Sequence, residues 1–185
     1  MGSRFRVKLA ARRLQAGGVV AYPTEAVYGL GCDPLNHAAF ARLLALKQRP
    51  DAKGVILIAA DEAQLAPFMA PLPAAMAATV RDSWPGPVTW IVPARDGVPP
   101  WLTGGRDSIA VRVTAHPLAA ALCRVFGGAL VSTSANRSGG RPARTALRVR
   151  QIFADELDDI VVGPLGGLAR PTTIRDARTG ALIRP

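Results

Sequence analysis

The sequence predicts an α/β fold: a single domain in which helices flank a twisted, mixed β-sheet. Short apolar runs, typical of buried strands, alternate along most of the chain with segments whose apolar residues recur at helical spacing. Near the C-terminus, predicted strands follow one another without helices between them, which favours a mixed sheet. A chain of 185 residues is long enough for one well-buried domain and short for two, so residues 1–185 are expected to form one unit.

Eight segments are predicted to be strands. The segment GVILIA is the clearest, because a continuous apolar run is typical of a strand that is buried on both faces. A turn at Gly180 separates the last two strands. The predicted strands are residues 19–22, 54–59, 88–92, 109–113, 130–133, 160–162, 172–174 and 181–184.

Six segments are predicted to be helices. Asn36 and Thr145 are residue types that commonly cap a helix N-terminus, and paired glycines end two of the segments. The predicted helices are residues 5–15, 37–47, 61–69, 74–83 and 116–126, and a last helix from 145 to about 153.

The chain has a formal net charge of +10 and a pI near 11.1, so an anionic partner is expected. Lys8, Lys47 and Lys53 are its only lysines, which leaves 20 arginines among the 23 basic residues. A compositional bias spread over the whole surface would produce the same charge. Net charge alone does not separate RNA binding from nucleotide binding or simple solubility, so the positions of the charges matter more.

The sequence indicates a cytoplasmic protein without a membrane partner. No apolar run is long enough to span a bilayer, and the basic N-terminus lacks the continuous apolar core of a secretory signal. Cys32 and Cys123 are the only cysteines, and neither belongs to a CxxC or Cys/His cluster. Neither a disulfide framework nor a structural zinc site is therefore expected.

Several familiar signatures are missing from the sequence. It has no GxxxxGK[ST] phosphate loop and no GxGxxG after a strand, and it lacks the GxSxG of serine hydrolases. His37 and His116 stand at predicted helix starts, where a structural role is more common than a catalytic one. Metal-ligand spacing is also missing. Neither a covalent nucleophile nor a protein-held metal is predicted.

Polar residues follow or interrupt the apolar strands at three places. The first is Thr24-Glu25, after the first strand. The second is Ser108 with Arg112, which shares a face of its strand with Ala110 because side chains alternate. An arginine inside a strand is costly to bury without an anion. Arg112 is therefore predicted either to bind an anionic ligand or to form a structural salt bridge.

The third cluster is STSAN, residues 132–136, at the end of a strand. Its hydroxyls, its backbone N–H groups and the arginines that follow would suit a phosphate, although serine-rich turns are also common without a ligand. The segment KQRPDAK carries Lys47, Arg49 and Lys53 within seven residues and is bent by Pro50. This positive patch would suit a triphosphate or an RNA backbone, and the alternative is a solvated helix end.

Taken together, these motifs closely resemble those of the YrdC/TsaC family of threonylcarbamoyl-AMP synthases. Six segments carry the resemblance in the same order: PTEAVYGLGCDP, LKQRPDAKGVILIA, WPGPVTWIVPA, SIAVRVTAHP, LVSTSANRSG and TTIRDARTGALIRP. They extend from about Val19 to the end of the chain. The family implies a YrdC-like fold, a twisted α/β sheet with a large, basic, concave cavity. Because the chain stops at Pro185, before the extra domain of the long form, the short bacterial type is expected.

The resemblance implies a nucleotidyltransferase that makes L-threonylcarbamoyladenylate and pyrophosphate from L-threonine, bicarbonate (or CO2) and ATP, with Mg²⁺. The product would feed the threonylcarbamoyladenosine modification of tRNA next to the anticodon, through a downstream tRNA threonylcarbamoyl-transferase complex. The threonine amine would add CO2 to give a carbamate, whose oxygen attacks the α-phosphate of ATP. Positioning and charge neutralisation would then carry the catalysis, without an enzyme nucleophile.

The resemblance also implies which residues meet the substrates. The residues expected at ATP are Lys47, Arg49, Lys53, Ser108, Ser134, Asn136, Arg144 and Arg184. The residues expected at threonine are Thr24, Arg112, Ser132, Thr172 and Thr173. Longer relatives carry a threonine at the position of Ala26 and a histidine at that of Ile58, so threonine is expected to be held differently here. Glu25 receives no role.

The alternative function is a module that binds double-stranded RNA or tRNA in ribosome or tRNA maturation. The basic charge supports it, but the sequence has no RNP-like aromatic pattern. Binding that weakens steeply with salt, without turnover of ATP, would favour this interpretation. A carbamoyl-transfer domain like that of hydrogenase maturation proteins is a third alternative, but those proteins carry acylphosphatase and zinc-finger segments that this chain lacks.

Overall fold

The computed structural model describes residues 3–49 and 54–185. Its centre is a nine-stranded sheet in the order β7-β1-β2-β6-β3-β5-β4-β8-β9. The strands are β1 Val20–Pro23, β2 Tyr28–Gly31, β3 Ile56–Ala59, β4 Val88–Pro93, β5 Ser108–Val113, β6 Leu130–Ser134, β7 Asp159–Ile160, β8 Thr173–Asp176 and β9 Leu182–Arg184. The α-helices are α1 Ser3–Gln15, α2 His37–Lys47, α3 Ala74–Asp82, α4 Pro100–Thr103, α5 Pro117–Phe126 and α6 Ala146–Phe153.

The sheet mixes parallel and antiparallel neighbours. The pairs β1–β7, β3–β5 and β4–β8 are parallel. The remaining neighbours are antiparallel. The predicted α/β class, a mixed sheet flanked by helices, is therefore confirmed. Within the ranges that the structure describes, none of the helices is both long enough and apolar enough to cross a membrane.

The strand β2 was not among the predicted strands. Gly29 and Gly31 favour a loop in the sequence, but in the structure Tyr28–Gly31 pairs with both β1 and β6. The reason is close packing. A Cβ atom at Gly31 would lie 2.6 Å from the carbonyl oxygen of Val131 and 2.8 Å from the ring of Tyr22. Glycine is required here by the approach of neighbouring strands and not by a turn.

Both predicted helix caps are confirmed. The side chain of Asn36 accepts a hydrogen bond from the N–H of Ala39 at 3.0 Å, and that of Thr145 accepts one from the N–H of Arg148 at 3.1 Å. These bonds satisfy N–H groups that have no partner inside the helix. The caps therefore fix where α2 and α6 begin.

The predicted helix 61–69 is wrong in type and length. Only a 3-10 helix, Glu62–Leu65, forms there. Pro67 has no N–H with which to continue a helix, and Met69 instead makes a β-bridge with Ala94. The short helix α4 was not predicted, because its surroundings, GVPPWLTGG, are rich in residues typical of loops.

The two faces of the sheet carry separate apolar clusters. Leu57 of β3 packs in the cluster that contains residues of α2, α3 and α6. Its neighbour Ile58 packs in the other cluster, with residues of α1 and α5. This alternation places β3 in the buried centre of the sheet, as its apolar sequence predicted. A cavity lies on the α1/α5 side, over residues that neither helix covers.

The chain crosses the sheet between β7 and β8. Because β7 forms one edge and β8 lies next to the other, residues 161–172, here the crossover segment, must span the sheet. Backbone bonds tie this segment to the end of β1. The N–H of Gly166 donates to the carbonyl of Thr24, and the N–H of Leu168 donates to that of Glu25, both at 3.0 Å. The end of this crossover segment, Pro171 and Thr172, lines the cavity.

Candidate active site

A cavity of about 660 Å³ opens on one face of the sheet. Its floor is built from three strands. Ile56 of β3 is the register neighbour of both Ala110 of β5 and Ser132 of β6, and all three residues line the cavity. Its walls include the loop after β1, the end of the crossover segment, and β9. Strands thus form the floor, and loop segments together with β9 close the sides.

The cavity is strongly cationic. Its charged lining groups are Arg49, Arg106, Arg112 and Arg184, and no carboxylate of the described residues lines it. Its hydroxyl groups are those of Thr24, Thr103, Ser108, Ser132, Thr133, Ser134 and Thr172. Guanidinium and hydroxyl groups bind the oxygens of phosphates and carboxylates. The cavity therefore suits a ligand, or a pair of ligands, with several negative charges.

Arg112 is the most deeply buried of these cations, with 4% of its surface exposed. Its Nη1 donates to Oγ1 of Thr172 at 2.6 Å and to Oγ1 of Thr89 at 3.3 Å. Its Nη2 lies 3.3 Å from Oε2 of Glu25, so a structural salt bridge, one of the two predicted alternatives, is present. Its Nε has no acceptor among the described residues. The protein therefore fixes this guanidinium without satisfying it completely.

Glu25 is the buried counter-ion, with 5% of its surface exposed. Its Oε1 accepts from the hydroxyl of Thr114 at 2.6 Å and from the N–H of Ala115 at 3.2 Å, while its Oε2 accepts from Arg112. It does not line the cavity. Sequence reasoning assigned it no role because its partners stand 87 to 90 residues away.

Arg49 and Arg184 are each tied to a backbone carbonyl. The Nη2 of Arg49 donates to the carbonyl of Gly54 at 2.9 Å, and that of Arg184 donates to the carbonyl of Thr172 at 3.0 Å. Burial lowers the pKa of both guanidinium groups, and the neighbouring charge of Arg112 further lowers the pKa of Arg184. Because arginine remains charged at neutral pH, Arg184 and Arg112 repel each other. An anionic ligand would reduce this repulsion.

Lys47 does not line the cavity, although it borders the STSAN loop. Its Nζ donates to the carbonyl of Ser134 at 2.5 Å and to that of Asn136 at 2.9 Å. Burial, with a smaller contribution from the charge of Arg49, lowers the pKa of Lys47 to about 8. The lysine thus holds the loop that presents the serines. Lys53, also expected at ATP, lies outside the described residues.

The STSAN loop divides its side chains between the cavity and its own structure. Ser132 and Ser134 line the cavity, whereas Asn136 does not. The hydroxyl of Ser134 donates to Oδ1 of Asn136 at 2.6 Å. The Nδ2 of Asn136 donates to the carbonyls of Arg137 and Gly140 at 2.8 and 2.9 Å. Asn136 therefore closes the loop on itself and orients the serine that faces the cavity.

The arginines that follow the STSAN loop in the sequence do not line the cavity either. Arg137 forms an ion pair with Glu156 at 2.5 Å. Arg144, expected at ATP, lies 3.4 Å from the carbonyls of Leu168 and Ala169, where it contacts the crossover segment. The structure thus places Arg144 against the crossover segment and outside the cavity lining.

Of the three threonines expected at the amino-acid substrate, two line the cavity and one does not. Thr24 and Thr172 line the cavity. The hydroxyl of Thr24 also donates to the carbonyl of Val27 at 2.7 Å, which fixes the turn after β1. Thr173 stands between two lining residues, Thr172 and Ile174, and is not one itself. Alternation along β8 directs its side chain to the other face of the sheet.

The two positions that depart from the longer relatives, Ala26 and Ile58, are both buried. Ala26 lines the cavity and is 1% exposed. Ile58 is the register neighbour of Arg112 across β3 and β5 and is fully buried. Neither side chain offers a polar group, so the side-chain donors that line the cavity are guanidinium and hydroxyl groups.

His116 and the two cysteines have structural environments. His116 caps α5: its Nδ1 accepts from the N–H of Ala119 at 3.4 Å, and its Nε2 bonds to the carbonyl of Pro164 at 3.0 Å. Burial raises the pKa of both cysteine thiols to about 12, so neither is a thiolate nucleophile at neutral pH. Residues 3–49 and 54–185 contain no group of three or more His, Cys, Asp or Glu side chains that could hold a metal.

Besides Glu25, sequence reasoning also missed Arg106 and Thr89. Arg106 lines the cavity, and its Nη1 also lies 3.4 Å from the carbonyl of Thr103. Its position two residues before Ser108, in GGRDS, was a signal that could have found it. Thr89 reaches Arg112 only because β4 pairs with β5, and no local pattern reveals that contact.

Known proteins share this architecture. The family model Sua5_yciO_yrdC, described as "Telomere recombination", matches residues 12–185 of the chain. The chain belongs to the Sua5/YciO/YrdC family. Among similar proteins, a threonylcarbamoyl-AMP synthase of Halorhodospira halophila is 63% identical over 180 residues, which cover 97% of this chain and 94% of that protein.

Solved structures of the Sua5/YciO/YrdC family have the same fold. P. abyssi Sua5 complexed with L-threonine matches with a TM-score of 0.92 and 32% identity over 98% of this chain. The match covers 54% of the Sua5 chain, so this chain spans about half of that protein. E. coli YciO matches with a TM-score of 0.85 and 27% identity, over 99% of this chain and 89% of that one. The predicted YrdC-like fold is thereby confirmed.

Proposed function

We propose that this chain is a threonylcarbamoyl-AMP synthase. It makes L-threonylcarbamoyladenylate and pyrophosphate from L-threonine, bicarbonate or CO2, and ATP. The observation that carries the proposal is a cavity lined by four arginines and, among the described residues, by no carboxylate. The shared name of a relative 63% identical along the chain and the threonine complex of a structural neighbour support it.

The chemistry needs positions and charges more than it needs reactive side chains. The amine of threonine adds to CO2, loses a proton and becomes a carbamate. A carbamate oxygen then attacks the α-phosphorus of ATP, a new P–O bond forms, and the bond to the β-phosphate oxygen breaks to release pyrophosphate. Both reactants are anions, so the site has to hold like charges together. Fixed guanidinium groups in a partly buried cavity serve this purpose.

In this proposal, ATP lies along the more open part of the cavity. Arg49, Arg184, Ser108 and Ser134 supply guanidinium and hydroxyl donors to its phosphates. Lys53 remains a predicted ATP contact. Lys47, Asn136 and Arg144 act indirectly. Their observed bonds go to the STSAN loop and to the crossover segment.

Threonine lies on the floor of the cavity. Arg112 meets its carboxylate, because this buried guanidinium still has an N–H without an acceptor among the described residues. Thr24, Ser132 and Thr172 surround the substrate with hydroxyl groups. Thr173 supports the neighbouring Thr172 through the backbone of β8. The reacting carbamate then lies between the floor and the phosphates.

Mg²⁺ would enter with ATP. The described residues that line the cavity offer it hydroxyl groups and no carboxylate, so they do not form a protein-held magnesium site. Magnesium prefers oxygen ligands and is often carried by substrate phosphates and water. The phosphate oxygens of ATP would accordingly be its main ligands, and the chain's own contribution is to hold those phosphates.

The product would pass to tRNA modification in the cytoplasm, through a downstream threonylcarbamoyl-transferase complex. Direct contact with tRNA is a finer part of the proposal. The helix α1 has five cations on its exposed side and no acidic residue: Arg4, Arg6, Lys8, Arg12 and Arg13. Replacing three of these with glutamine should weaken tRNA binding and flatten its dependence on salt concentration. Unchanged binding would rule out α1 as the contact.

The function is tested by measuring pyrophosphate release with each substrate omitted in turn. The proposal predicts release that requires ATP, L-threonine and bicarbonate together, and that is lost when Arg49 and Arg184 are both replaced with glutamine. Release that continues without threonine would contradict the synthase. Tight, salt-sensitive RNA binding without any release would favour the RNA-binding alternative.

A further inference from the structure

We propose that Glu25 is a positioning residue for threonine recognition. Its carboxylate holds the guanidinium of Arg112 in a preset orientation, so that the carboxylate of the amino-acid substrate meets donors that do not have to be rearranged. This inference rests on the function proposed above and deepens it, because it concerns how that site selects and holds its amino acid.

The contacts of Glu25 make its carboxylate a junction between separate parts of the chain. It receives a charged donor from Arg112 and two more donors from Thr114 and Ala115, directly after β5. Arg112 is held on its other side by Thr172, at the end of the crossover segment. The guanidinium is therefore clamped between two elements distant in sequence, and Glu25 is the charged half of the clamp.

The backbone of Glu25 connects the two halves. Its carbonyl accepts from the N–H of Leu168, in the crossover segment that leads to Thr172. Gly166 of the same segment packs so closely against Glu25 that a Cβ atom on residue 166 would lie 2.9 Å from Cα of Glu25. A displacement of Glu25 would therefore disturb both its own contact with Arg112 and the contact made by Thr172.

Glutamine cannot reproduce this arrangement, although it has the same shape. A glutamine side chain has one acceptor oxygen and one NH2 group. If the oxygen faces Thr114 and Ala115, the NH2 group faces the Nη2 of Arg112. If it faces Arg112, the NH2 group faces the N–H of Ala115. One donor opposes another in either case, so glutamine cannot hold both Arg112 and the N–H of Ala115, although the side-chain volume is kept. The clamp on the guanidinium is therefore broken at one of its two ends.

A positioning role and simple charge repulsion predict opposite changes in threonine binding when the charge of Glu25 is removed. Glu25 is negative, as is the carboxylate of threonine, so its removal would strengthen threonine binding if only Coulomb repulsion mattered. Glu25 does not line the cavity, however, and its oxygens already face three donors. The lost orientation of Arg112 should therefore dominate, and the direction of the change in threonine KM decides between the two effects.

The test compares the KM values for threonine and ATP in the wild type, in Glu25→Gln and in Glu62→Gln. The last variant removes a carboxylate from the exposed ion pair with Arg81 and serves as the control. Glu25→Gln should raise the threonine KM about 10- to 100-fold and change the ATP KM less than about twofold. With L-threoninamide, which lacks the carboxylate, the wild type and Glu25→Gln should become nearly equal.

An unchanged or lowered threonine KM in Glu25→Gln would overturn the proposal, as would equal rises for both substrates or a penalty that persists with L-threoninamide. If Glu25→Gln does not fold, Thr114→Val gives a second test, since it removes one donor and keeps the ion pair. It should raise the threonine KM about tenfold with the same ATP control, and an unchanged KM would overturn the proposal. A wild type without threonine-dependent pyrophosphate release would instead refute the proposed function.

Discussion

Arg112 and Thr172 meet across 60 residues of sequence, with Nη1 of the arginine 2.6 Å from Oγ1 of the threonine. Arg112 belongs to the floor of the cavity, and Thr172 ends the segment that crosses the sheet. The contact therefore joins the floor to a wall. It gives the crossover a function beyond chain connection, because it brings an acceptor to a guanidinium that is otherwise incompletely satisfied.

Thr172→Val should weaken threonine binding about tenfold, since it removes a hydrogen bond to a charged group without changing the side-chain volume much. Thr173→Val should have a smaller effect, because Thr173 does not line the cavity. Isothermal titration with L-threonine measures both, and Thr79→Val, on the exposed side of α3, is the control. A larger loss for Thr173→Val than for Thr172→Val would contradict this arrangement.

Arg112→Leu should abolish activity and also lower the free energy of unfolding by about 3–5 kcal/mol, because it leaves the carboxylate of Glu25 buried without its counter-ion. The double variant Arg112→Leu with Glu25→Leu removes both charges. It should recover most of the stability and none of the activity. Urea denaturation and pyrophosphate release separate the two effects. Activity in the double variant would show that neither charge is needed.

Gly166→Ala should disturb the site through the backbone. The new methyl group would lie 2.9 Å from Cα of Glu25, closer than nonbonded atoms approach, so the crossover segment has to move. We expect a loss of about 1–3 kcal/mol in stability, typical of overpacking, and weaker binding of threonine. Thermal melting and threonine titration test this. Wild-type values in both would mean that the segment is not held against Glu25.

Lys47 should make the free energy of unfolding depend on pH in a predictable direction. Below pH 8 the lysine is charged in both the folded and the unfolded chain, and the full cost of burying the ammonium is present. Because burial lowers the folded pKa to about 8 from 10.5, the folded chain loses this proton first as pH rises. The unfolded chain then binds more protons, so the contribution of Lys47 to stability increases between pH 8 and 10.5.

The comparison of wild type with Lys47→Met isolates this effect. The free energy of unfolding of the wild type, relative to that of the variant, should rise between pH 7.5 and 9.5. Urea denaturation at several pH values measures the difference. A difference that stays constant or falls over this range would show that the ammonium is not held at a lowered pKa.

Local patterns predicted the parts of the fold that depend on local physics. The caps at Asn36 and Thr145 and the buried strand of GVILIA were all found in the sequence, because each is encoded by neighbouring residues. The strand β2 was missed for the opposite reason. Its glycines serve the approach of Tyr22 and Val131, which is a tertiary constraint.

The site shows the same division. Arg112 could be identified from the sequence because a cation within an apolar strand is recognised from its immediate neighbours. The role of Glu25 could not be predicted, because its contacts form only when the end of β1, the end of β5 and the crossover segment come together. Lys47 was found as a cation of the motif, but its carbonyl partners in the STSAN loop could be identified only from the fold.

A mass spectrum of the product formed from ATP, L-threonine and ¹³C-bicarbonate tests the proposed synthase activity most directly. We expect an adenylate that contains threonine and one ¹³C atom, formed by the wild type and missing with Arg112→Leu. An adenylate without the label, or pyrophosphate release without any threonine-containing adenylate, would contradict it.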